Sequence, residues 1–194
     1  MSYKRNNRLK GECKMKKYLI IAAVLLAAVS ANAGEYRPYV GFDYVNMTPN
    51  LKGRYENTHA DNYDLGSLAA GVKFVDYGSI EFFAERSMRE KKVLGSNVAR
   101  SRFYGYGADV LIDMYNVSDA TILGSVGYGR ISSNLKYNGK SDKDKTNALR
   151  LGVGGEINPT PEWGFRAMYR YSLADGDAYN NSKEFTIGAR YYFY

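Results

Sequence analysis

The chain has 194 residues, 27 of them basic and 20 acidic, for a formal charge of +7, with 45% hydrophobic residues and a mean hydropathy of −0.44. Seven of the basic residues and one of the acids lie in the first 33 positions, so residues 34–194 are nearly neutral and lack the basic footprint of a nucleic-acid binder. The single cysteine, Cys13, lies in the same leader, which excludes a disulfide framework from the remaining 161 residues, a length that suits one domain.

Residues 1–14 are polar and basic, a preface that signal peptides rarely carry. Lys10-Gly11-Glu12 can be encoded by a purine-rich tract of the kind that precedes a start codon, so Met15 is read as the true start. The intact mass of the unprocessed precursor is expected to begin at Met15, and a precursor beginning at Met1 overturns that reading. Met15-Lys16-Lys17, the apolar run 18–29 and Ser30-Ala31-Asn32-Ala33 supply the basic, apolar and small-residue parts of a secretory signal peptide over 15–33. The run is shorter than the roughly 20 residues of a transmembrane helix. Cleavage after Ala33 leaves a domain over 34–194.

Eight alternating segments follow, near 36–48, 64–75, 79–88, 100–113, 119–132, 146–157, 163–174 and 183–194. Each is close to the 9–11 or so residues with which a tilted strand crosses a membrane. One face is apolar: Val40, Phe42 and Tyr44 in the first; Leu68, Ala70, Val72 and Phe74 in the second; Ile80, Phe82 and Ala84 in the third. Tyr104, Tyr106, Ala108, Val110 and Ile112 continue it, then Leu149, Leu151, Val153 and Ile157, then Trp163, Phe165, Ala167, Tyr169, Tyr171 and Leu173. The fifth segment is the least clean, because Ile122, Val126 and Tyr128 are in phase with Arg130. An arginine at mid-bilayer costs about 2–4 kcal/mol and far less near an interface, so Arg130, Arg86 and Arg102 are placed at the rim.

Long polar connections (49–63, 89–99, 133–145, 175–182) alternate with short turns at 76–78, 115–118 and 158–162. Long external loops and short internal turns are the pattern of an outer-membrane barrel with both termini periplasmic. Alternation alone leaves open a soluble barrel with its apolar side inward. The leader, the count of eight and the aromatic final strand favour the membrane form. Seventeen of the 19 tyrosines fall after the leader, and tyrosine suits a membrane–water interface. In the last segment Phe185, Ile187, Ala189, Tyr191 and Phe193 share one face, as a strand that closes a wall onto the first requires.

Thr186, Gly188, Tyr191, Phe193 and the terminal Tyr194 together resemble the C-terminal signal recognised by the bacterial outer-membrane assembly machinery, with Tyr194 one residue beyond the usual aromatic end. Arg37-Pro38-Tyr39-Val40-Gly41, Glu81-Phe82-Phe83-Ala84-Glu85, Gly152-Val153-Gly154-Gly155-Glu156 and Arg166-Ala167-Met168-Tyr169-Arg170-Tyr171 resemble strands of small outer-membrane β-barrels: the OmpA transmembrane domain, the OmpX/Ail group and the opacity-like proteins. The resemblance covers nearly all of 34–194. It implies an all-β, eight-stranded, antiparallel up-and-down transmembrane barrel in the outer membrane of a Gram-negative bacterium, here without a following peptidoglycan-binding domain.

The opposite faces carry Asp43, Glu81, Glu85, Asp109, Glu156 and Glu184 with Lys73, Arg150, Arg166, Arg170 and Arg190. Six acids against five bases read as an interior charge network. Glycines in the same phase, among them Gly41, Gly71, Gly105, Gly152 and Gly188, make room for them in a lumen only just wide enough for side chains. A polar plug and an ion path both fit. Catalysis would have to run through His59, the only histidine, near Asp61 and Asp64; outer-membrane lipid A hydrolases resemble this architecture, but no nucleophile constellation accompanies His59. No cofactor or metal is expected. The second loop and its strand ends are basic (Arg89, Lys91, Lys92, Arg100, Arg102), and the third sets Lys136, Lys140, Lys143 and Lys145 against Asp142 and Asp144. Such cations suit lipopolysaccharide phosphates or host surface polyanions. The expected protein is a non-enzymatic monomer serving membrane integrity or adhesion-like surface interaction, with a narrow diffusion pore as the alternative.

Overall fold

Nine strands of the computed structural model turn this alternation into one closed antiparallel wall; residues 36–51, 61–74, 77–88, 90–94, 97–137, 140–174 and 179–193 are described. They are β1 (Tyr36–Leu51), β2 (Tyr63–Phe74), β3 (Gly78–Ser87), β4 (Glu90–Leu94), β5 (Asn97–Val117), β6 (Ala120–Tyr137), β7 (Lys140–Ile157), β8 (Trp163–Ala174) and β9 (Tyr179–Tyr192). Each pairs with its neighbour in sequence, except that β3 and β4 both pair with β5. Arg86 faces Tyr104 and Glu90 faces Ser101, so β3 and β4 are one strand position interrupted around Met88, with one extra residue across the break. The wall therefore has eight positions. It closes between β1 and β9, from Tyr39 opposite Tyr192 to Leu51 opposite Tyr179, which satisfies the backbone groups of both strands without a free edge.

The strands run longer than their apolar faces. Segments 89–99 and 133–145, expected as loops, are largely strand: Lys91 pairs with Arg100, Lys92 with Ala99, and β6–β7 stay in register out to Tyr137 opposite Lys140. The turn expected at 115–118 likewise lies mostly in strand, and the chain reverses at Ser118, whose φ is 51°. A bulge between Asp113 and Tyr115 lets both Met114 and Tyr115 face outward. At the β2–β3 turn Gly78 has φ 140°, where a side chain would also collide with the Leu111 carbonyl, so glycine is required there.

Outward faces are apolar and exposed, as in Phe42, Leu68, Phe82, Tyr106, Val153, Phe165 and Ile187. The β6 phase is clear: Ile122, Val126, Tyr128 and Arg130 point out while Leu123 and Ile131 point in. At the end where β1 begins and β9 finishes, Trp163, Tyr191 and Phe193 stack edge to face outside the wall.

The interior is not uniformly polar. Towards the long hairpins Val45, Met47, Leu51, Tyr63, Leu65, Phe103, Ile131 and Ala148 form one buried cluster reaching from β1 and β2 across to β5, β6 and β7. Tyr63 and Phe103 meet edge to face with centroids 4.6 Å apart, and the Tyr63 hydroxyl bonds to Ser101. This apolar collar sits above the charged layers. Glycines admit those charges: a Cβ on Gly41 would lie 2.5 Å from Arg190 Cδ, and one on Gly188 would strike the Asp43 carboxylate. Gly188→Val is expected to cost about 1–3 kcal/mol by overpacking, read as a lower urea midpoint for loss of the heat-modifiable folded gel band.

Candidate functional site

Inward parity brings the charged side chains of seven strands into one buried network. Glu81 on β3 is its hub. Its Oε2 accepts from Arg166 Nη1 at 2.8 Å, Arg190 Nε at 3.0 Å and the Tyr39 hydroxyl at 3.0 Å, while Oε1 takes Arg190 Nη2 at 3.3 Å. Arg190 also grips Asp43 with two nearly parallel bonds, 2.6 and 3.0 Å. Arg166 reaches Glu156 at 2.7 Å, and Tyr192 donates to the other Glu156 oxygen at 2.5 Å. Lys73 approaches Asp113 at 3.5 Å and Glu156 at 3.8 Å from the edge of this layer. Arg166 on β8 and Glu81 on β3 belong to opposite walls, so the layer bridges the lumen.

Between that layer and the collar lies a looser one. Arg150 meets Glu184 at 3.2 Å and Glu85 at 3.9 Å, with its guanidinium 3.8 Å over the Phe83 ring. Ser172 and Ser182 donate to Glu184 at 3.0 and 2.9 Å. Arg170 donates to Thr186 at 3.1 Å and stands 3.7 Å from Asp109. Both Asp109 oxygens, Arg150 Nε and Nη1, and Arg170 Nε are buried without a hydrogen bond within the protein.

All eleven interior candidates (Asp43, Lys73, Glu81, Glu85, Asp109, Arg150, Glu156, Arg166, Arg170, Glu184 and Arg190) thus lie in the lumen, Lys73 with its side chain a fifth exposed. The interior set drawn from the sequence left out Tyr39, Tyr192, Asp113, Ser172, Ser182 and Thr186, although all share the inward parity. Of the outer candidates, Arg100 and Arg102 lie in β5 and Lys91 and Lys92 in the adjacent β4, where Lys91 faces Arg100; all are strand rather than loop, and Arg89 is outside the described residues. Of the C-terminal set, Thr186 and Gly188 face inward and Tyr191 and Phe193 outward; Tyr194 is outside the described residues, as are His59 and the leader. Among the described residues no group of three or more histidine, cysteine or carboxylate side chains is arranged to hold a metal. A shallow apolar groove lined by Phe42, Tyr44, Phe165, Ala167, Ile187 and Ala189 opens on the outer wall.

A closed wall, apolar outside and charged inside, is the construction of a transmembrane β-barrel of the outer membrane. The chain belongs to the outer membrane protein beta-barrel domain family, whose model matches residues 19–193. Among solved structures it is similar to Neisserial surface protein A (15% identity over 81% of this chain and 97% of that one, TM-score 0.62). It is also similar to Ail, the attachment invasion locus protein of Yersinia pestis (19%, 82% and 99%, TM-score 0.55), and to the N-terminal β-barrel domain of Pseudomonas aeruginosa OprF (12%, 80% and 97%, TM-score 0.52). At these identities the likeness is one of fold. No curated protein matches.

Proposed function

We propose that this is a non-catalytic, non-conducting outer-membrane barrel that works at its outer surface, in membrane integrity and adhesion-like contact. Residues 15–33 act as its signal peptide, 185–194 carry its assembly signal, both termini are periplasmic, and the long β4–β5 and β6–β7 hairpins face outward. The observation that carries this reading is the doubly closed lumen. An ion would have to lose its hydration in the collar of Met47, Tyr63, Leu65 and Phe103, then displace the bridged pairs of Arg166, Glu81, Arg190 and Asp43. Balanced pairs consume the interior charge that a selective pore leaves facing water. Surface contact with polyanions draws support from Ail, which has been crystallised with the heparin analogue sucrose octasulfate. Here Arg89, Lys91, Lys92, Arg100 and Arg102 are the cations assigned to that contact.

Residues 34–194, refolded and checked by heat-modifiable gel migration, are expected to give no steady openings in a planar bilayer. Steady single-channel steps from a folded sample overturn the reading in favour of a narrow pore.

A further inference from the structure

The basic side chains near the hairpin end are sorted by the pleat in a way their sequence conceals. Along β7, Lys143 and Lys145 alternate with Asp142 and Asp144, a segment that sums to zero. In the wall Lys143 and Lys145 are exposed on the outer face, while Asp144 takes the opposite phase, half-buried and accepting from Thr146 at 3.2 Å. The same parity puts Arg86, Arg102 and Arg130 on the outer side of β3, β5 and β6.

Register assembles these five. Arg86 faces Tyr104, Tyr104 faces Ser132, and Ser132 faces Lys145, one row across four adjacent strand positions. One step towards the hairpin tips, Arg102 faces Asn134, which faces Lys143; one step the other way, Arg130 faces Asn147. With strands about 4.8 Å apart and same-face residues about 7 Å apart along a strand, the cations occupy a patch about 15 Å on a side. Tyr104 is its floor: Arg86 and Arg102 hold their guanidinium carbons 5.3 and 6.0 Å from its ring centroid, and Arg102 Nη1 donates to its hydroxyl at 3.1 Å. Among the described residues none of the five makes an ion pair that would neutralise it. The acid bordering the patch on β2, Asp64, instead accepts from Tyr44 at 2.6 Å and Asn46 at 3.0 Å on the far side. At the same height on β9 the outer face offers Lys183 beside Asn181, so the cations are concentrated on one side of the barrel.

We propose that Arg86, Arg102, Arg130, Lys143 and Lys145 form a binding site on the wall for the phosphate groups of a membrane glycolipid. Height chooses this occupant over a soluble polyanion. Directly below Arg130 on β6 the outer face becomes Tyr128, Val126 and Ile122, and its partner across the pair is the exposed Tyr106. The cations therefore stand where an apolar band gives way to polar surface, level with lipid headgroups and set back from the hairpin tips. Guanidinium forks bind phosphate oxygens in pairs, and lysines add point charge around them. The proposal rests on the outward direction of the hairpins given above, and not on whether the lumen conducts.

The test is binding of diphosphorylated lipid A to the folded barrel in phosphatidylcholine nanodiscs, counted by native mass spectrometry. Diphosphorylated lipid A is expected to bind at least tenfold more tightly than its dephosphorylated form and than phosphatidylglycerol. The variant Arg86→Gln/Arg130→Gln/Lys145→Gln is expected to lose that preference, while Lys183→Gln on the far side keeps it. Equal binding of the two lipid A forms by the wild-type barrel overturns the site without needing any variant. A preference for phosphatidylglycerol over diphosphorylated lipid A overturns it as well. Patch-dependent binding of soluble sucrose octasulfate without lipid A binding overturns it in favour of a saccharide receptor. Each of these results leaves the planar-bilayer experiment unaffected, so the two readings fail separately.

Discussion

Glu81→Ala is expected to lower the unfolding free energy by about 3–5 kcal/mol, read as a shifted urea midpoint in tryptophan fluorescence and gel mobility. The magnitude follows from what remains after the carboxylate is removed. Of their carboxylate partners Arg166 keeps only Glu156 and Arg190 only Asp43, and the Tyr39 hydroxyl loses its 3.0 Å acceptor, all in a lumen where these side chains are nearly inaccessible. Buried cations stripped of a partner carry a penalty that a surface ion pair never does. Lys73→Met serves as the contrast. Lys73 is a fifth exposed and its carboxylate contacts, at 3.5 and 3.8 Å, are too long for good hydrogen bonds, so the expected change is within about 1 kcal/mol. If the two variants unfold at the same urea concentration, Glu81 is not the hub.

Opening the lumen is expected to require two lesions. The collar and the Arg166–Glu81–Arg190 layer lie one behind the other, and barriers in series are limited by whichever remains closed. Met47→Ser/Phe103→Ser makes the collar wettable by exchanging two large buried apolar side chains for small polar ones. In planar bilayers this double variant is expected to stay silent, because the bridged pairs below are intact. Combined with Glu81→Ala, it is expected to show steady openings. Openings from the collar variant alone would mean that the ion-pair layer is permeable, and the polar middle layer around Asp109, Arg150 and Arg170 would then be part of a conducting path.

The wall was legible because one bilayer-facing side of each strand must be apolar: Trp163 to Leu173 reads as a strand from its alternation alone. Parity then sorted Arg166, Arg170 and Arg190 to the inside. Beyond the bilayer the same rule loses its contrast, since both faces of a projecting hairpin are polar, and 133–145 therefore read as loop while forming a continuous ladder. One-residue insertions such as those near Met88 and at Met114 have no compositional mark. The collar escaped for another reason. Val45, Met47, Leu65, Phe103 and Ile131 have the inward parity of the charged residues, and only their common position at one end of five strands distinguishes them.

The length of the hairpins has a consequence for degradation. β5 has 21 residues where about 11 cross the bilayer, and with Arg102 at the rim the stretch Asn97–Ser101, about 16 Å measured along the strand, continues past it on the hairpin side. Trypsin cleaves after lysine and arginine, but it needs a stretch of backbone free of partners to thread its cleft. Lys91, Lys92, Arg100, Arg102, Lys136, Lys140, Lys143 and Lys145 are all committed to strand ladders. Among the described residues, these eight tryptic sites are, by virtue of their pairing, poor tryptic substrates.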